Sequence, residues 1–245
     1  VNASPAPSVR FDRLDALRGV AVVWMVVFHF CFDLNHFRFI REDFYRDPFW
    51  TGQRTVIVSL FLFCAGLGQA VAWTQGQRWP RFWRRWAQVA ACALLVTAGS
   101  WFIFPRSFIT FGVLHGIAVM LLIVRLTAPA GRWLWLLGLL ALLLPHVVQS
   151  PWFDMRATQW IGLVTRKPVT EDYVPVLPWL GVMWWGMAAG QWILTRRPHW
   201  LSGAVPRAGA WLATVGRWSL SVYMVHQPLF FGLLAGWIAL RQALA

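Results

Sequence analysis

Long uncharged, apolar runs recur along the chain, separated by short polar stretches. Thr55–Trp73, Trp86–Pro105, Ser107–Val124, Trp133–Phe153, Tyr173–Thr195 and Trp218–Leu240 reach or approach the ~20 helical residues that cross a bilayer core. At the front, Val20–Phe32 is too short to span alone. Its helix must take in Arg18 at one end and Asp33 at the other, running from about Leu14 to Asn35. No small-residue cleavage site follows, so this stretch reads as a retained first span and not as a signal peptide. The pattern predicts an all-α membrane bundle of about seven helices. Residues 1–12, opening VNASPAPSVR, read as a disordered leader, and residues 13–245 as one transmembrane domain without an internal repeat.

Composition sharpens this reading. Hydrophobic residues make up 58% of the 245 and charged residues 13%, about half the charge of a soluble domain. So little charge cannot cover so much apolar surface in water, which excludes an ordinary soluble enzyme. The net charge of +13 would suit nucleic acid. However, the basic residues lie between the apolar runs, where the positive-inside rule places them. Arg10, Arg13, Arg18, Arg78, Arg81, Arg84 and Arg85 share one side with Arg125, Arg132, Arg196, Arg197, Arg207 and Arg217. That bias predicts a cytoplasmic N-terminus. The other side carries two longer loops, about Asn35–Arg54 and Asp154–Asp172, which hold six of the nine acidic residues. Trp79, Trp83, Trp133, Trp152 and Trp179 suit an interfacial belt. Cys31, Cys64 and Cys92 are odd in number, lie inside apolar stretches and show no ligand spacing, which argues against disulfides and a metal site.

Ionisable groups inside the spans are the informative ones, because each costs about 2.5–3.5 kcal/mol at a helix centre on insertion scales. His29 and Asp33 sit four apart in FHFCFD, on one helical face. A carboxylate there can orient an imidazole as a general base, or the two can simply satisfy each other. Arg18 lies eleven residues earlier, about 16 Å along the axis. It reads as a snorkelling anchor or as an anion clamp. His115 lies between Gly112 and Gly116, a GxxxG pair that invites a neighbouring helix. It serves either that contact or a site. His226 and Gln227 precede Pro228, which should free the Met224 carbonyl and kink the helix, leaving the two side chains to line a cavity or to satisfy the backbone. Gly66–Gly68 and the pair Gly186 and Gly190 read as packing. The glycine pairs leave open contacts within the bundle or between two copies of a homodimer. His36, His146 and His199 fall near span ends.

The stretch RLDALRGVAVVWMVVFHFCFDLNHF resembles the opening of the transmembrane acyltransferases, in particular bacterial members of the heparan-alpha-glucosaminide N-acetyltransferase catalytic-domain family. SLFLFCAGLGQA, FITFGVLHGIAV, DYVPVLPWLGVMWWGMAAG and GRWSLSVYMVHQPLF match further along, in order. The first stretch is also similar to the acyltransferase-3 family, where an Arg-Gly-x-Ala element precedes an essential His at the spacing of Arg18 to His29. The resemblance implies an acyl-CoA donor on the cytoplasmic side and a sugar or glycan acceptor outside. It places Arg18 and His29 in an active tunnel, lined further by Asp33, His115 and His226. In the lysosomal member an Asn matches His29 and the essential His lies in the next loop, where His36 stands here, so His29 and His36 both remain candidates for the base.

The expectation is therefore an integral acyltransferase of a bacterial inner membrane, using acetyl-CoA or another acyl-CoA and no metal. His29 and Asp33 would be catalytic. Arg18, His115, His226, Gln227 and His36 would contact substrate, and Arg18, Arg81, Arg84 and Arg85 would hold the phosphates of CoA. The alternative is a non-enzymatic lipid or sugar translocator or an envelope-assembly subunit. Pro228 as a single break, without a partner in the first half, counts against a transporter built on inverted repeats.

Overall fold

The computed structural model describes residues 11–244. Its helices are α1 (Asp12–His36), α2 (Pro48–Thr74), α3 (Trp79–Ile103), α4 (Val113–Thr127), α5 (Trp133–Val147), α6 (Val176–Arg196), α7 (His199–Ser202), α8 (Ala210–Arg217) and α9 (Ser219–Ala243). The seven long ones fall where the seven helices were expected. Five of them, α1, α2, α3, α4 with its 3-10 extension, and α9, are long and apolar enough to cross a membrane. The 15-residue α5 falls short in length. Of the leader expected over residues 1–12, residues 1–10 lie outside the described residues, while Phe11 is the N-cap of α1 and Asp12 its first residue.

Helix ends follow local chemistry. Asp12 and Asp15 lie in the first turn of α1, where carboxylates oppose the positive end of the helix dipole. Asp47 caps α2 by accepting from the Phe49 N–H, and Pro48 occupies the first turn. Both α2 and α3 thus begin seven residues before the uncharged runs at Thr55 and Trp86. In contrast, the run expected from Ser107 becomes helical only at Val113. The one expected through Phe153 stops at Val147, and a separate 3-10 turn covers Pro151–Asp154.

Glycines set the closest packing. A Cβ at Gly186 would lie 2.2 Å from the Phe63 carbonyl oxygen, and one at Gly66 2.2 Å from that of Met183, so α2 and α6 touch backbone to backbone. Gly138 and Gly181 do the same for α5 and α6. Gly190 meets Leu67 and Ala70, so the pair Gly186 and Gly190 acts within the bundle. The pair Gly112 and Gly116 differs from expectation. No helix approaches it; the extended segment Asp172–Val174 does, with Phe111 and Tyr173 bridged as in a parallel sheet. The short α7 and α8, absent from the apolar pattern, cover the first half of α1, where Gly216 meets the Asp15 carbonyl and Gly19 that of Leu212. The core lies among α2, α4, α5 and α6, around Leu62, Met120, Leu134, Met183 and Met187. Trp179 packs against this core instead of joining an outer belt; Trp79, Trp83, Trp133 and Trp152 are exposed. Arg125 is buried with its guanidinium over Trp73, Trp79 and Phe82 and donates to the Gln77 carbonyl, pinning the α2–α3 turn onto α4. By contrast, α3 and α9 stand at the periphery.

Candidate active site

A cavity of about 410 Å³ lies among α1, α2, α3, α4 and α9, within the ~300–1,000 Å³ usual for ligand pockets. At the end where α1, α3 and α9 begin, its lining includes Arg18, Arg85 and Ser219. At the opposite end it includes Tyr45, Arg54, Glu171 and Asp172. Between them the wall is mostly apolar, with Met25, Ile57, Val58, Phe61 and Leu114 from three helices. His29, Tyr223, His226 and Gln227 are the polar groups of the α1–α9 wall between those ends.

The expected His29–Asp33 contact does not form. α9 lies against the same face of α1 and offers two adjacent side chains, so each α1 group takes one of them. His29 Nδ1 lies 2.8 Å from His226 Nε2, and Gln227 Nε2 donates to Asp33 Oδ1 at 2.6 Å. The protons on the two imidazoles can be placed. His226 Nδ1 lies 2.8 Å from the Tyr223 carbonyl and 3.2 Å from that of Val222. Carbonyls only accept, so this nitrogen carries the proton. In the neutral pair His226 Nε2 is then an acceptor, His29 Nδ1–H is the donor, and the lone pair of His29 sits on Nε2. His29 thus enters the cavity wall as the tautomer a general base requires. Asp33 is fully buried, and its Oδ2 and the Gln227 Oε1 have no partner among the described residues. Two acceptors therefore stand unfilled beside the histidine pair. At Pro228, where a kink was expected, α9 remains helical on both sides.

The other expected residues divide. Arg18 lines the cavity and donates to Asp15 at 3.0 Å, a carboxylate it shares with Arg217 at 3.9 Å. Arg85 lines the same end. Arg81 and Arg84 do not: both are exposed, Arg81 a turn before the lining begins and Arg84 turned away from the stripe that carries Arg85 and Val89. His115 is likewise outside the lining. Its Nδ1 accepts from the Gly112 N–H at 3.3 Å, and its Nε2 meets Thr97 Oγ1 at 3.0 Å, so both nitrogens serve the start of α4. His36 is exposed at the end of α1, its ring 5.1 Å from Phe231 and 5.6 Å from Phe104, beyond the lining.

At the far end lie residues that the sequence did not single out. Tyr45 donates to Glu171 Oε2 at 3.2 Å, and Ser107 donates to Glu171 Oε1. Asp172 Oδ2 accepts from the Val113 N–H at 2.7 Å. Burial holds the Asp172 carboxyl above its ordinary range even with Arg54 and Lys167 nearby. Burial, followed by Arg54, pulls Lys167 down. The Tyr45 phenol is pushed up to about 12, first by burial and then by Glu171. The concentration of six of the nine acids in the two outer loops was the available signal, but nothing in the residue pattern indicates that the loops meet over a cavity.

No curated protein and no solved structure gives a significant match to the chain. The family described as heparan-alpha-glucosaminide N-acetyltransferase, catalytic, matches residues 10–228, which take in the whole cavity wall of α1 through α4 and the His226–Gln227–Pro228 turn of α9 up to its last matched residue. On that match over most of its length, the chain belongs to the heparan-alpha-glucosaminide N-acetyltransferase catalytic family, whose name carries a membrane acetyltransferase type of activity.

Proposed function

We propose that the protein moves an acetyl group from acetyl-CoA, held at the Arg18 and Arg85 end, to a hydroxyl or amine of a sugar or glycan reaching His29 from the opposite end. In this reading the membrane is the inner membrane of a bacterium and the arginine end is cytoplasmic. The observation that carries the proposal is the hydrogen-bonded line from the Tyr223 carbonyl through His226 to His29, which leaves a basic nitrogen in the wall of a cavity with arginines at one end.

Guanidinium groups bind phosphates through paired donors, and Arg18 and Arg85 supply them where a CoA head must stop. The thioester reaches inward between apolar walls suited to the pantetheine arm. The acceptor O–H or N–H loses its proton to His29 Nε2 while its oxygen or nitrogen bonds the acetyl carbon. The C–S bond breaks, and the CoA sulfur leaves as a thiol after taking the proton from His29. Holding both substrates in one cavity makes the step effectively unimolecular. Asp33 and Gln227 act beside the base, not on it: Gln227 lines the cavity, and Asp33, buried outside the lining, accepts from its amide and fixes it there.

The test needs no knowledge of the acceptor. The purified protein is titrated by calorimetry with acetyl-CoA, a longer acyl-CoA, CoA and ATP. Micromolar binding of acetyl-CoA is expected. Arg18→Ala and Arg85→Ala should each weaken it about tenfold or more, as loss of a hydrogen bond to a charged group does. Arg81→Ala and Arg84→Ala should change it little. Absence of binding by stably folded protein sinks the proposal.

A further inference from the structure

Leu95, Gly99 and Ile103 fall one turn apart on a single stripe of α3. All three line the cavity, yet all three are exposed, Leu95 by 62% and Ile103 by 54%. A side chain can be both only at the lip of an opening. Pro228 of α9 is also both exposed and part of the lining. A Cβ added at Gly99 would meet nothing within 4 Å. The rings of Phe104 and Phe231, 5.8 Å apart, bridge α3 and α9 near the end of α3. The cavity is therefore open sideways, through a slot between α3 and α9. Gly99 lies four residues before the end of α3 and His29 seven before the end of α1, about 6 and about 11 Å along the axes. Slot and imidazole share the same third of the bundle.

What fills such a slot follows from where it faces. Both helices are long and apolar enough to cross a membrane, and only 11% and 6% of their most apolar windows are buried in the protein. The slot opens on a surface covered by hydrocarbon, and its lips are Leu, Ile, Gly and Pro with no charge. A water-soluble sugar gains nothing by passing there, whereas an alkyl or polyprenyl chain is already in place.

We propose that the slot admits the hydrocarbon chain of a lipid-borne acceptor, whose headgroup hydroxyl or amine reaches His29 while its chain stays in the bilayer. The inference rests on the acyltransferase reading above and names the acceptor's class. The chain belongs to the acceptor and not to the donor because an acetyl group carries only a methyl beyond its carbonyl carbon. An acetyl-CoA arriving from the Arg18 end has nothing to place beyond His29.

Full-length protein is reconstituted with a bacterial total lipid extract and given radiolabelled acetyl-CoA, with methyl glucosaminide as a water-soluble competitor. Label should appear in the organic phase. Gly99→Trp, which plugs the slot, should lower that label at least tenfold while acetyl-CoA binding stays within twofold. Gly236→Trp is the control: it is equally open on α9 but away from the lining, and should behave as the unaltered protein. Label confined to methyl glucosaminide, or organic-phase label untouched by Gly99→Trp, overturns the slot while leaving acyl transfer standing. Preference for palmitoyl-CoA that Gly99→Trp removes puts the donor's chain in the slot and overturns the assignment to the acceptor. Failure of the unaltered protein to bind acetyl-CoA overturns instead the reading on which the inference rests.

Discussion

A base is useful only with its lone pair on the right atom, and for His29 that choice is made by a residue on another helix. In the proposed transfer His226 is a positioning residue. Its Nδ1–H is tied to the carbonyls of its own helix, which leaves its Nε2 to accept from His29. Removing it frees His29 to exchange tautomers and rotate. His226→Ala should lower kcat about 100-fold, within the range associated with a correctly placed general base, with acetyl-CoA affinity unchanged. His226→Gln restores an acceptor for His29 Nδ1–H and should recover part of that loss. The nitrogen chemical shifts of His29 should report an unprotonated Nε2 in the unaltered protein and a mixture in His226→Ala. Equal turnover in all three proteins would remove His226 from the mechanism. The sequence singled out four side chains that the fold brings together, but it paired His29 with Asp33, whereas His29 meets His226 and Asp33 meets Gln227. Spacing within α1 showed that His29 and Asp33 share a face; it could not show that a helix 197 residues away supplies both partners. For His115 the spacing left two readings open, a helix contact or a site. Its neighbouring glycines do mark a close approach, but by an extended loop, and the imidazole is used up holding the start of α4.

At the scale of elements, the apolar runs marked all seven long helices, five of which are long and apolar enough to cross a membrane, because crossing hydrocarbon demands a long uncharged stretch and little else in a sequence looks like one. Their ends were less legible. α2 begins at an Asp-Pro cap and carries Arg54 into the cavity wall, and α3 carries Arg85 likewise. A search for uncharged residues stops at those arginines, although the helix does not. The short α8 was hidden among Pro198, Gly203, Pro206 and Gly209, residues that normally mark a loop. Which glycines matter also needed the structure. Gly186 and Gly236 both lie in apolar helices, yet one touches the Phe63 backbone and the other faces open space. Gly186→Leu must push α2 and α6 apart, and overpacking of this kind costs about 1–3 kcal/mol or more. It should lower the unfolding midpoint in detergent by several degrees, with loss of folded protein at growth temperature as the extreme case. Gly236→Ala should leave the midpoint unchanged or raise it slightly, since Ala is favoured over Gly inside a helix by about 0.5–1 kcal/mol. Equal midpoints for the two variants would mean that the α2–α6 contact is not a tight one.

Across the whole molecule the two ends of the cavity differ in kind. The Arg18 end is a cluster of arginines around the shared carboxylate of Asp15. The other end is a loop assembly in which Asp172 ties the segment before α6 to the first turn of α4 through the Val113 N–H. That carboxylate has favourable company, with a helix N-terminus, Arg54 and Lys167 close by, but burial outweighs all of it and holds the carboxyl above its ordinary range. Linkage turns this into a slope. Below the ordinary carboxylate value, about 3.9, the group is protonated in both folded and unfolded chains and contributes no difference. As pH rises from there, the unfolded chain releases its proton first, so the folded state binds more protons and loses stability until pH passes the raised value. The closed outer end is therefore tightest in mild acid and loosens toward neutrality. Asp172→Asn keeps an oxygen for the Val113 N–H and removes the titration. Its unfolding midpoint should fall less than that of the unaltered protein as pH is raised from 4 toward 7, with the two curves closest at the acid end. A steeper fall in Asp172→Asn would show that the pull of Arg54 and Lys167 on the charged form, and not its burial, governs this end of the cavity.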